Sequence, residues 1–99
     1  MSQRSQTSPS AQSPVQIAVL GGDGRLPSKV RSHIPEGARL RQFASPKDGG
    51  QGEARDLEQA LHKGGIDRVW ILTRWNSHGI TRRIRRLCRL LAIPVMLIR

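Results

Sequence analysis

Cysteine is almost absent from this chain: the single Cys88 excludes an internal disulfide and a zinc site built on cysteines. It falls on the apolar face of a predicted helix and reads as a small buried hydrophobe rather than a reactive thiol. Aromatics are nearly as scarce, with Phe43, Trp70 and Trp75 and no tyrosine. Acidic residues number 7 against 17 Lys and Arg, for a net charge of +10. Long apolar runs are missing too. No stretch approaches the roughly 18 apolar residues of a membrane span. Residues 1–14, rich in Ser, Gln and Pro, lack the apolar centre of a signal peptide, so the cytoplasm is the expected compartment. Such a segment cannot offset its ordering entropy by burial, which predicts a disordered tail over 1–14 and a single domain over 15–99. A domain of that size can fold alone, with a thin core.

What is present is basic, and unevenly so. From Ile66 to Arg99, eight arginines stand against one acid, Asp67. A basic field of that density attracts polyanions, whether nucleic acid, nucleotides or an acidic membrane surface. The plainer reading is a solvated surface in a composition where arginine is simply common.

Apolar patterning predicts alternating strands and helices. Residues 15–20 form a β-rich apolar run that stops at Gly21-Gly22. Pro27 and Pro35 bracket a short helix on which Leu26, Val30 and Ile34 make one stripe. Residues 38–44, where Leu40 alternates with Arg39 and Arg41, predict a weak edge strand, and 45–52 a loop of Gly, Pro and Asp. A helix over 53–63 buries Leu57, Ala60 and Leu61 and ends at Gly64-Gly65 in a left-handed cap. Residues 67–73 predict the strongest strand. A basic helix over 77–91 sets Ile80, Ile84, Leu87, Cys88 and Leu91 on one side, and Val95–Ile98 follows Pro94 as the last strand.

This β-α-β-α-β-α-β order predicts a small three-layer, Rossmann-like α/β domain with a four-stranded, mostly parallel sheet of order 2-1-3-4. In that order the winding reverses between the first and third strands, and ligands of such sheets bind beyond the strand C-termini at the reversal. The loops 21–25 and 74–78 would therefore be neighbours.

Those two loops carry the candidate ligand-binding residues: Gly21, Gly22, Arg25, Arg74, Trp75, Ser77 and His78. A helix N-terminus favours anions, and here Ser77 opens the helix with Arg74 before it and Arg82 just inside. Ser77 is most economically an N-cap, worth about 1 kcal/mol. Adjacent side chains at a helix start rarely face each other, and no acid nearby in sequence orients His78, so no catalytic set is expected. His78 reads as a hydrogen-bond donor to a ligand. Trp75 either stacks on a base, at about 1–3 kcal/mol, or packs over the end of the sheet. Gly21-Gly22-Asp23-Gly24 permits close backbone approach to a phosphate or is a plain tight turn. It is no dinucleotide fingerprint, because Pro27 stands where the third glycine belongs, and no P-loop. His33 and His62 form no metal set with His78, and neither metal nor cofactor is expected.

Arg82, Arg83, Arg85, Arg86 and Arg89 point outward in this reading and repel one another, with no acids interspersed. A polyanion would relieve that repulsion, whereas a membrane-surface helix would need the apolar face that the core already uses. The apolar last strand, at the sheet's edge, predicts a homo-oligomer.

The Gly21-Gly22 pair after the first strand, Ser77-His78 before a basic helix, Cys88 late in that helix and a final Pro94-Val95 strand resemble a family of small bacterial proteins. That family is catalogued as a domain of unknown function, and the resemblance covers residues 15–99. Trp75 and the density of arginine, where the family more often carries lysine, depart from its pattern. The resemblance implies an α/β fold and no particular activity. The function expected from the residues is non-enzymatic binding of DNA or RNA by the basic helix, aided by a phosphate-accepting crevice. The alternative is a sensor or regulatory module holding a small nucleotide or other phosphorylated ligand in that crevice.

Overall fold

The computed structural model describes residues 14–22, 26, 28–43 and 52–99. Nearly all of the tail expected over 1–14, together with Asp23, Gly24, Arg25, Pro27 and the loop 45–51, lies outside them. Four strands, β1 (Gln16–Leu20), β2 (Arg39–Phe43), β3 (Arg68–Leu72) and β4 (Val95–Ile98), alternate with helices α1 (Ser28–Arg31), α2 (Gly52–Lys63) and α3 (His78–Leu90). The sheet runs β2-β1-β3-β4, and every pairing is parallel. The expected order 2-1-3-4 is thus the observed one, with no antiparallel member.

The central strands explain the layering. Residues 17–20 of β1 are all buried, and so are 69–72 of β3, so neither face of either strand reaches water. Alternate side chains then need cover on opposite sides. Ala18, Leu20, Val69 and Ile71 pack under α2 and α3, against Leu57, Leu61, Ile84 and Cys88. Ile17, Val19, Trp70 and Leu72 pack on the other face with Val30 of α1, and Leu26, Ile34 and Met96 close around them. Burial pushes the Cys88 thiol up to about 11 by desolvating its charged form. A folded-state value above the unfolded one leaves stability intact at neutral pH and drains it only as the pH climbs past the ordinary thiol range toward 11.

Two helices end differently from the patterning. The helix expected over 27–35 shrinks to the single turn of α1, because His33 and Ile34 donate to Val30 and Arg31, three residues back, and Pro35 has no N–H to continue. Leu91, expected on the buried stripe, is the C-cap of α3 and is 38% exposed. There the Ile93 N–H donates to the Cys88 carbonyl and the Ala92 N–H to Arg89, the pair of bonds of a Schellman ending. Reversing the chain this way turns Leu91 off the sheet and returns Ile93 to the core. The left-handed position belongs to Ala92, at φ 59°, where glycine is the usual occupant.

Relieving that Cβ strain costs little, since the position lies outside the helix. Ala92→Gly is expected to stabilise the protein by about 0.5–1 kcal/mol, raising the melting temperature by several degrees. Unchanged or lowered stability by thermal or urea denaturation would contradict it.

Candidate anion-binding site

The loops after β1 and β3 are in contact, as the strand order requires, and Asn76 joins them. After β3 the chain makes a 3-10 turn at Thr73–Trp75, and Asn76 leaves it in extended conformation. Its Nδ2 donates to the carbonyls of Leu20 (3.2 Å) and Leu72 (2.9 Å), the last residues of β1 and β3. Those carbonyls sit where the two central strands end, and one amide satisfies both. The Asn76 Oδ1 is buried and has no hydrogen-bond partner. Gly21, at φ 105°, makes this approach possible: a Cβ there would lie 2.6 Å from Asn76 Nδ2 and 3.2 Å from the Leu72 oxygen.

Asn76 thus sits at the junction of the two strand ends, and Asp23, Gly24 and Arg25 of the first loop lie outside the described residues. Gly21 and Gly22 are both buried, and the Gly21 N–H donates to Phe43 O rather than outward. Trp75 is half-buried and packs on the α1 side of the sheet with the cluster of Trp70, Leu72 and Val30.

Open space lies on the other side of the 3-10 turn. A cleft of about 840 Å³ is lined by Thr73, Arg74, Asn76, His78, Thr81, Arg82, Arg85, Leu97 and Arg99. Its walls are the C-terminal ends of β3 and β4 and the first two turns of α3. Thr73 Oγ1 donates to Ile98 O at 3.2 Å and holds the two strand ends together beneath it. Ser77 is the N-cap of α3, and its Oγ accepts from Ile80 N at 3.1 Å. The N–H groups of the first turn that remain add partial positive charge to the cleft's mouth. Four arginines and one histidine line the cleft, and no Asp or Glu side chain is among its described lining residues. Ser77, Gly21, Gly22 and Trp75 are not among them, and Arg25 lies outside the described residues.

The helix arginines divide three ways. Arg82 and Arg85 line the cleft, while Arg86 and Arg89 stand exposed beyond it. Arg83 turns to the opposite flank, where its Nε donates to Glu58 Oε2 of α2 at 2.7 Å and its Nη2 to Glu58 Oε1. That hydrogen bond first, and the Glu58 charge second, raise the Arg83 pKa above its ordinary value. The five arginines had been expected to point outward with no acid to relieve them; Glu58, distant in sequence, relieves one. Composition could not find this partner, because Glu58 and Arg83 are 25 residues apart and meet only when α2 and α3 pack side by side.

Patterning also missed Arg99, Thr73, Thr81 and Asn76. Arg99 reaches Arg74 because β4 lies parallel beside β3, a pairing no local spacing encodes. Asn76 did carry a signal, since an Asn just past a strand end commonly bonds local backbone. Among the described residues no group of His, Cys, Asp and Glu could hold a metal ion, and no helix is long and apolar enough to cross a membrane.

No protein-family model, curated protein or solved structure matches the chain.

The Asn76 clamp yields a double-mutant test. Asn76→Ala should cost about 1–3 kcal/mol by stranding two carbonyls. Gly21→Ala should cost about 2–4 kcal/mol through its positive φ and its clash with the amide. Combined, they should cost less than their sum by at least about 0.5 kcal/mol in urea denaturation, because removing the amide removes the closest clash. Strict additivity would mean that the two residues do not press on each other.

Proposed function

We propose that this chain is a nucleic-acid-binding protein that acts without catalysis. One observation carries the reading: Arg74, Arg82, Arg85 and Arg99 converge on a single cleft with no Asp or Glu side chain among its described lining residues, and Arg86 and Arg89 extend the same charge along α3. Like charges gathered this way repel, and a polyanion turns that repulsion into binding free energy by displacing its own counterions. Guanidinium groups suit the task because their planar forks match phosphate oxygens two at a time. A binding role is further supported by Ser77, whose hydroxyl is engaged as a cap, and by the lack of an Asp or Glu side chain among the described lining residues to orient His78. The resemblance to the small bacterial family rests on Gly21, Gly22, Ser77, His78 and Cys88, of which His78 alone lines the cleft.

Affinity for an oligonucleotide should fall steeply with salt, with a log–log slope of about −0.7 per phosphate contacted on a single strand and about −0.9 on a duplex. Arg85→Ala and Arg86→Ala should each weaken binding and flatten that slope by roughly one phosphate. Arg83→Ala should change both much less, because Glu58 already holds that guanidinium. A salt-independent affinity, or an Arg83 effect as large as that of Arg86, would refute this use of the helix.

We further infer that copies of the chain associate through β4. The strand is at the sheet's edge, Val95–Ile98 is wholly apolar, and Leu97 is 43% exposed. Sedimentation velocity should show a species larger than the 11.0 kDa chain that Leu97→Lys reduces to monomer. A monomer at all concentrations would remove the inference.

A further inference from the structure

The cleft and the outer face of α3 carry the same charge but differ in shape, and the difference bears on which phosphate each suits. Arg86 and Arg89 stand apart on an exposed helix surface, a spacing suited to successive diesters with one charge apiece. Arg74, Arg82, Arg85 and Arg99 instead share one cleft with His78, the Thr81 hydroxyl and the start of α3. Four guanidiniums around one recess exceed what a single diester can neutralise. A phosphate monoester carries up to roughly two charges, and a chain of phosphates carries correspondingly more. The cleft's volume of about 840 Å³ lies in the range of small-ligand sites, roughly 300–1,000 Å³. Leu97 supplies one apolar wall against which a sugar or base can lie.

We propose that this cleft takes the 5′-oligophosphate of a nucleotide, carried by the end of an RNA strand or by a free nucleoside triphosphate. The inference rests on the nucleic-acid reading above and assigns the cleft the strand's end, leaving the backbone to Arg86 and Arg89. The recognition is by guanidinium. Magnesium neutralises the same phosphate oxygens, and no Asp or Glu side chain is among the described lining residues to hold the ion there. Binding is accordingly tighter in a chelator than in excess magnesium at equal ionic strength. No bond is made or broken.

The test compares one RNA sequence carrying either a 5′-triphosphate or a 5′-hydroxyl, labelled at its 3′ end and followed by fluorescence anisotropy. Titration calorimetry with free ATP runs in parallel, with EDTA and with magnesium. The triphosphate strand should bind about tenfold tighter or better than the hydroxyl strand. Arg74→Ala with Arg99→Ala should erase that ratio by weakening the 5′-triphosphate strand far more than the 5′-hydroxyl strand, and Arg86→Ala with Arg89→Ala should weaken both strands alike. Arg82→Gln with Arg85→Gln serves as a second cleft pair should the first fail to melt cooperatively. Equal binding of both strands, a preference that survives the cleft variants, or a preference seen only with magnesium would each overturn the proposal. Binding of free ATP, lost in the cleft variants, with no strand binding would uphold the cleft and refute the nucleic-acid reading. No binding of any probe would refute both.

Discussion

The pairing of β1 with β3 is the constraint on which the rest of this molecule depends. Both strands are buried on both faces, from Ile17 to Leu20 and from Val69 to Leu72, so each needs cover above and below. Parallel pairing sends every connection back across a face, and those crossovers carry the covering helices. The two strands also end together, at the carbonyls of Leu20 and Leu72. Asn76 answers both at once, and Gly21 leaves it room. The amide thereby fixes where the chain goes after β3, and so where Ser77 starts α3 and where Arg74 stands.

The reversal of winding between β1 and β3 is the usual place for a ligand in such a sheet. Here Asn76 bridges the two strand ends at that point, and the basic cleft lies one strand further along, between α3 and the ends of β3 and β4. Charge follows packing as well. Arg83 is claimed by Glu58 of α2, while Arg82 and Arg85, one to two positions away, face the opposite flank. A helix only 13 residues long thus serves three surfaces at once: core, ion pair and cleft.

Strand positions and order were legible because a strand buried on both faces leaves a continuous apolar run, as at residues 15–20 and 67–73, and alternation with helical stripes restricts the topology. Helix ends were less legible. Leu91 has the spacing of a core residue, yet the Schellman ending at Ala92 lifts it away, since hydrogen bonding of the last carbonyls outweighs one more contact. Ser77 as a cap was readable because N-cap chemistry is local. The cleft's membership was only half readable: Arg74, His78, Arg82 and Arg85 lie on one stretch, whereas Arg99 and Leu97 arrive through β4.

By itself the sequence determined the alternation of elements, the order of the sheet, the cap at Ser77 and the excess of arginine around α3. The sheet order follows from that alternation and the rules of parallel crossovers, and the others depend on neighbours within a few residues or on summed charge, which folding does not alter. Only the tertiary structure decided which arginines share a cleft, which one Glu58 neutralises, and that Asn76 bridges the ends of the first and third strands. Those outcomes depend on pairings between segments 25 or more residues apart, such as Thr73 with Ile98 or Arg83 with Glu58, and on how one amide and one glycine fit together in space. Distances of that kind exist only after the chain has packed.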